Sequence, residues 1–431
     1  MSLTLQQYQQ IYKFANEAFK GEGGFLDGSY IDKYPRESDE KYEERQKVAY
    51  YTNLFASKIN RYIGYLFKTT PTRESKNKLI QLIFDNADNQ GNAIDIFMSN
   101  FAKNAKVRGC NLLLIDMPKN LPSTLKEQID NRAVPYFVEI LPERIIEYKI
   151  DLSGKFEYIA FSDVIDNSTY ENQDIEKVIR YYDKNEWKVL ALDGTVIESG
   201  SHNLGICPVL AFSENNEFPT LGEFTQIAYL AKRHYNLQSE LDEILRSQTF
   251  SILTINADNP SDLELKLSSD NAIVYAQGFN KPEYIAPPAA PAEIYQQKIK
   301  DIEAQIDKIA FDITTNQSRE SGIALDIKFQ GLNASLSNFA MKLEDLERRA
   351  FEIVCKYLNI KDDVNIIYPK SFNITDIEKE IQILSEMKQL IDAPTYFKLK
   401  TLKIISNDLN TIDPGDFAVI ASEVEDSFKE T

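Results

Sequence analysis

Residues 291–313 read PAEIYQQKIKDIEAQIDKIAFDI. Tyr295, Ile299, Ile302, Ile306, Ile309 and Ile313 recur in steps of four and three, a heptad seam along one helix face. Pro291 suits the first helical turn, where its missing N–H costs no helical hydrogen bond. After a polar interruption, Thr314 to Ser321, a longer helical pattern runs from Gly322 to Leu358. Leu332, Leu336, Phe339, Leu343, Leu346, Ala350 and Val354 give it one apolar stripe. Glu344/Arg348, Asp345/Arg349 and Glu352/Lys356 supply i,i+4 ion pairs on its other sides.

Working outward from this pair of helices, the Pro287-Pro288-Ala289-Ala290-Pro291 connector is stiff. It follows a short mixed stretch, Thr249 to Ala290, with strand-like Ser251 to Ile255 and Ala272 to Tyr275. Leu221 to Gln248 is a further helix. Before it the period changes to two, with strands expected at Tyr136 to Ile140, Ile145 to Lys149, Phe156 to Phe161, Ile175 to Tyr182, Trp187 to Leu192 and Thr195 to Glu198. Turn residues between them, including Asp193-Gly194, predict hairpins or a meander. Ala93 to Lys106 is helical and leads through Arg108 and Gly109 into Asn111 to Asp116, an apolar run read as a buried strand.

Near the start, Leu5 to Lys20 places Tyr8, Ile11, Tyr12 and Ala15 on one helix face before the breaker Gly21 to Gly24. Asp39 to Thr69 is expected to form one long helix, stopped by Pro71. After a strand at Val364 to Tyr368, the tail from Thr375 to Thr431 is expected to hold two or three amphipathic helices broken at Pro394 and Pro414. The chain is therefore read as α+β, mainly helical. At 431 residues it exceeds the size of one usual core, so two or more packed regions are expected.

With 43% hydrophobic and 26% charged residues, the composition is that of a globular protein. The formal net charge of -18 disfavours tight nucleic-acid binding through a broad basic surface. Cys110, Cys207 and Cys355 are far apart and fit neither a disulfide framework nor a zinc site, which suits a reducing compartment. Without a leader-like start or a run of about 18 apolar residues, the chain is expected to be soluble and unexported, with no membrane partner.

No GxxxxGK[ST] loop is present, so nucleotide hydrolysis on that cradle is disfavoured. Two histidines, His202 and His234, leave little material for metal sites or triads, and each is read as a turn or packing residue. Carboxylate pairs such as Asp85/Asp88 and Glu423/Glu425/Asp426 are read as solvated surface. Trp187 and the tyrosines lack interleaved basic clusters and are read as core or subunit-interface residues. No catalytic, metal or cofactor site is expected, and the chain is not expected to be an enzyme.

The order of elements, with several local motifs, resembles the portal proteins of tailed double-stranded DNA phages. Asn203-Leu204-Gly205-Ile206-Cys207-Pro208-Val209-Leu210-Ala211-Phe212, followed by Glu214-Asn215-Asn216-Glu217, is similar to the family's segment before its first stem helix. Tyr235-Asn236-Leu237-Gln238-Ser239 is similar to a motif within that helix. Ser321-Gly322-Ile323-Ala324-Leu325-Asp326-Ile327-Lys328 looks like the opening of its long tunnel-side helix, and Arg61-Tyr62-Ile63-Gly64-Tyr65-Leu66-Phe67 like a helix in one portal subgroup.

The resemblance implies a wing over 1–220, stem helices at 221–248 and 291–313, a clip at 249–290 and a tunnel loop at 314–321. It further implies a long helix and wing return at 322–373 and a crown at 374–431. Portals of this family form homo-oligomeric rings, usually of twelve subunits, at one capsid vertex of the virion, assembled in the host cytoplasm. The partners implied are the major capsid protein, terminase, head-tail adaptor proteins and double-stranded DNA passing without sequence preference.

A channel in which DNA slides should avoid strong phosphate binding, which an acidic subunit suits. Asn316, Gln317, Ser318, Arg319 and Glu320 are the candidate DNA-channel residues, with a solvated interhelical turn as the alternative. Ile299, Ile302, Ile306, Ile309 and Ile313 are expected to pack stem helices against neighbouring subunits. Lys298, Lys300 and Lys308 are expected to pair with acidic residues across the subunit boundary or to face DNA. Ile252, Leu253, Ile255, Ile273, Val274 and Tyr275 are the candidate clip residues for subunit and partner contacts. Two rival classes stay open: a virion structural or adaptor protein without a DNA channel, and an acidic-site hydrolase.

Overall fold

The first helix, α1 (Leu5–Lys20), forms with the ends its sequence predicts. Thr4 and Gln7 close a reciprocal capping box at its start, and Gly21 ends it in the left-handed conformation. In this computed structural model the described residues are 3–119, 122, 124–170, 172–249, 252–254, 283–285, 290–311, 322–361, 364–372, 384–388, 393–408, 419–420 and 422–424. They divide into two compact units, Met1–Phe372 and Asn373–Thr431.

In the first unit α1 is followed by α2 (Asp39–Val48), α3 (Leu54–Leu66), β1 (Thr72–Glu74), α4 (Lys78–Asp85), α5 (Ile94–Arg108), β2 (Cys110–Asp116), α6 (Leu125–Asp130) and β3 (Tyr136–Ile140). Then come β4 (Ile145–Ile150), β5 (Phe156–Asp166), β6 (Ile175–Asp183), β7 (Glu186–Ala191), β8 (Val196–Ser201) and β9 (Val209–Ser213). The unit closes with α7 (Thr225–Thr249), β10 (Ile252–Thr254), β11 (Glu283–Ile285), α8 (Ala290–Ile309), α9 (Gly322–Leu358) and β12 (Asn365–Ile367). In the second unit the longest described element is α10 (Pro394–Asp408).

Helices and antiparallel sheets thus mix in an α+β chain. Strands β4 to β8 form a five-stranded meander in sequence order, as the period-two pattern predicts. Tyr136 to Ile140 does not join it: β3 pairs with β2, and β9 lies on the other side of β2, giving a three-stranded sheet. Strand β2 explains the layering. Its Leu113 and Ile115 belong to the large core with the helices, while Leu112 and Leu114 face a second core with Ile159, Phe161 and Tyr182 of the meander. Both faces of β2 are covered, which is why its sequence is a continuous apolar run rather than an alternation.

The helix expected from Asp39 to Thr69 is two helices. The chain leaves α2 at Ala49 in an extended conformation and re-enters a helix only after Asn53, whose side chain accepts from the Ala56 N–H. Tertiary bonds hold the break open: Tyr51 Oη donates to Ala18 O at 2.9 Å, and Asn53 Nδ2 donates to Phe19 O at 2.8 Å. The Tyr51 ring lies 4.2 Å from that of Phe25. A continuous helix would forfeit these contacts with α1.

The helix break expected at Pro394 falls there: Pro394 is the first residue of α10, the position where proline is tolerated best. The strand paired with Ile252–Thr254 is Glu283–Ile285, whereas 272–275 lies outside the described residues. Strand β12 pairs with β1, Glu74 opposite Asn365 and Thr72 opposite Ile367, a long-range partner that the sequence reading missed. In α9 the whole stripe from Leu332 to Val354 is buried. Of its expected ion pairs Asp345/Arg349 forms at 3.7 Å, while Glu352 takes Arg348 at 2.6 Å and Glu344 accepts the Tyr368 N–H at 2.8 Å.

Candidate functional site

The seam of residues 291–313 lies on α8, which packs along α7. Ile299, Ile302 and Ile306 are 7%, 8% and 0% exposed and share one core with Leu237 and Leu241 of α7; Ile309 is half-buried against it. The face expected to meet neighbouring subunits is therefore covered within the chain, because a seam this apolar is satisfied by the first helix able to reach it. Ile313 lies outside the described residues. His234, in the first half of α7, meets Glu303, in the second half of α8, at 3.2 Å, so the helices run antiparallel. Lys58 of α3 pairs with Asp307 at 2.5 Å and ties α8 to the body.

Lys298, Lys300 and Lys308 are exposed on α8, and among the described residues no ion pair is formed by them. Ile252 and Leu253 lie on β10 opposite Ile285 and Tyr284 of β11, so their backbone is paired inside one chain. Ile255, Ile273, Val274 and Tyr275 lie outside the described residues, as do Asn316, Gln317, Ser318, Arg319 and Glu320.

The Tyr235-to-Ser239 motif has a local explanation. Tyr235 packs into an aromatic group with Phe25 and Tyr51, tilted against the first at 5.9 Å and edge-on to the second at 5.8 Å. Asn236 Nδ2 donates to Tyr30 O at 2.9 Å, and its Oδ1 accepts the Asp32 N–H at 2.7 Å. Ser239 meets Arg45 at 3.4 Å. That guanidinium is 2% exposed, bonds Glu37 through Nη2 at 2.8 Å, and reaches Asp32 O at 2.7 Å. Buried charges persist when paired and hydrogen-bonded, and here the pairing fastens α7 to the loop after α1.

Two more buried charges hold α9, and sequence reasoning missed both. Lys106 is 1% exposed, 3.2 Å from Glu214 and 3.3 Å from Glu223, with its ammonium over the rings of Phe224 at 4.2 Å and Tyr62 at 4.3 Å. Burial works against its charge, but the Glu214 carboxylate, with Tyr62 and Glu223, holds its pKa above the usual lysine value. Its position continues the buried Met98–Ala102 row of α5, and a lysine in such a row is the signal that marks it. Arg73 grips Glu347, which is 0% exposed, in a two-bond fork that includes Nη2 to Oε2 at 3.0 Å. Tyr368 Oη also donates to Glu347, at 2.7 Å.

A groove of 1100 Å³ opens between α9, the β4–β5 turn and the segment around β9. Phe156, Phe218, Leu346 and Ile353 are among its apolar lining. Its cations are Lys155, Lys184, Lys342, Arg349 and Lys356; its carboxylates are Asp151, Glu217, Asp345 and Glu352. Lys342 Nζ donates to Ser213 O at 3.4 Å and to Glu214 O, and burial lowers its pKa.

His202 is half-buried beside Asp183 O, at 3.1 Å, and burial lowers its pKa. The three cysteines are buried and form no disulfide among the described residues. Asp88 caps its own loop through the Gln90 N–H at 2.9 Å and Asn92 Nδ2 at 2.7 Å. Among the described residues no group of three or more His, Cys, Asp or Glu is placed to hold a metal ion, and no helix is long and apolar enough to cross a membrane.

Residues 223–358, from the start of α7 to the end of α9, match a domain of unknown function, DUF4055. No curated protein matches the chain. Solved structures similar to it include a chain from the neck of an empty gene transfer agent (GTA) particle, at 8% identity over 80% of this chain and 89% of that one, with a TM-score of 0.47. Another is from the virion of a native GTA particle, at 8% identity over 85% and 88%, with a TM-score of 0.40.

Proposed function

We propose that the chain is the repeating subunit of a portal ring at one capsid vertex of a tailed-phage virion, a structural and not an enzymatic role. Element order carries this reading. The antiparallel hairpin of α7 and α8 holds residues 250–289 between its two helices, and the 37-residue α9 follows after residues 310–321. In this reading the hairpin is the stem, residues 249–290 are the clip that docks terminase and then head-tail adaptors, and the sheets form a wing beside the major capsid protein. Asn316, Gln317, Ser318, Arg319 and Glu320 are the residues this reading assigns to the DNA channel. Lys298, Lys300 and Lys308 are a few exposed cations along an acidic chain, enough to meet phosphates without a broad grip.

Negative-stain electron microscopy of the purified protein tests the proposal through rotational symmetry and a central hole. A ring, of about twelve subunits, with a channel wide enough for duplex DNA is the expected result. A monomer or small closed dimer at all concentrations and salts overturns it.

A further inference from the structure

Two exposed surfaces of this chain have opposite shape and charge. The first is the groove beside α9, apolar at its floor, with five cations to four carboxylates in a chain of net charge -18. The second is a knob. Leu26, Val48 and Tyr50 are 78%, 51% and 74% exposed, unusual for large apolar side chains at neighbouring sites. The turn carrying Leu26 is fastened to the segment carrying Val48 and Tyr50: Gln46 Nε2 donates to Gly28 O at 3.1 Å, and the Phe25 and Tyr51 rings are 4.2 Å apart. Asp27, Glu43 and Glu44 are exposed around it, against Lys47.

We propose that the Leu26/Val48/Tyr50 knob of one copy seats in the groove between α9 and the β4–β5 turn of the next copy. The inference rests on the ring reading above. Neither surface complements itself, since one is a hollow with surplus positive charge and the other a projection among carboxylates. The contact is therefore head-to-tail, and a head-to-tail contact closes only as a ring or continues as a filament. Because the knob is braced before contact, little conformational freedom is lost on seating it. Its acidic surround and the cationic rim favour this order of approach over groove-to-groove or knob-to-knob encounters.

The native cysteines Cys110, Cys207 and Cys355 are 0%, 6% and 4% exposed, so engineered cysteines report alone. Met341→Cys, at a position in the groove lining that is 57% exposed, is combined in the full chain with Leu26→Cys, Val48→Cys or Tyr50→Cys and oxidised. At least one pair should give a covalent ladder beyond the dimer on a denaturing gel, with none from the single variants. Maleimide labelling of Met341→Cys alone should slow at least about tenfold in the assembled state, as expected for a residue closed off by a partner. Lys155→Glu with Arg349→Glu should abolish assembly, and adding Asp27→Lys with Glu44→Lys should restore it.

No ladder from any pair, a ladder that stops at the dimer, or dimers from Met341→Cys alone overturns the pairing. Protection of Met341→Cys without a ladder means that another surface covers the groove, which also overturns it. Rings that persist without the ladder remove this inference and leave the ring reading standing. Wild-type protein that never assembles removes both.

Discussion

Gly109 lies backbone to backbone against Gly222: a methyl group on Gly109 would sit 2.0 Å from the Gly222 nitrogen. The Gly222 N–H donates to Arg108 O at 3.1 Å, so the end of α5 and the approach to α7 touch without side chains between them. Gly109 also has φ +93°, where other residues are strained. Gly109→Ala should therefore cost about 3 kcal/mol or more, the sum of strain and a forced backbone shift. Urea denaturation checks this, and a midpoint equal to that of the wild type refutes it.

Arg73→Met should destabilise the chain by about 3–5 kcal/mol, because it strips the fully buried Glu347 of its guanidinium partner. Replacing both partners, Arg73→Met with Glu347→Leu, should recover at least half of that loss. A double variant as unstable as the single one would show that packing, not the stranded carboxyl, sets the cost.

Glu139 predicts a pH dependence. Burial raises its carboxyl pKa, only partly offset by bonds from Asn111 at 2.5 Å and Asn104 at 3.0 Å. A carboxyl with a raised folded pKa keeps its proton longer in the native state than in the unfolded one. Stability is thus lost as pH rises from the ordinary glutamate value of 4.5 through the raised one. Glu139→Gln should match the wild type in acid and melt higher at neutral pH. Parallel melting curves across that range would contradict the assignment.

Deleting residues 256–271 should abolish ring formation and terminase binding, as the clip assignment requires. Rings that form and bind terminase as before refute that assignment. Replacing Asn316, Gln317 and Arg319 together by alanine should leave ring symmetry unchanged and alter DNA passage in a packaging assay. Unchanged passage would place the channel wall elsewhere.

Local signals made much of this fold legible. Helix α1 could be bounded to the residue because its cap and its Gly21 stop are both adjacent in sequence, and the α9 stripe could be named because every member obeys one period. What escaped was tertiary. Nothing near Tyr51 announces that its hydroxyl belongs to Ala18, so the break between α2 and α3 read as helix. The seam on α8 was visible, but its partner was not, since an apolar face carries no address. The groove was invisible because its walls come from segments nearly two hundred residues apart.

The clamp on α7 has a mechanical meaning. Lys232 with Asp32, Asn236 with Tyr30 and Asp32, Ser239 with Arg45 and Glu243 with Lys41 grip successive turns of one helix. A pull along the axis of α7 loads these fasteners in shear, all at once, instead of peeling them in turn. The helix therefore behaves as a strut riveted along its shaft, able to transmit axial force into the body of the fold.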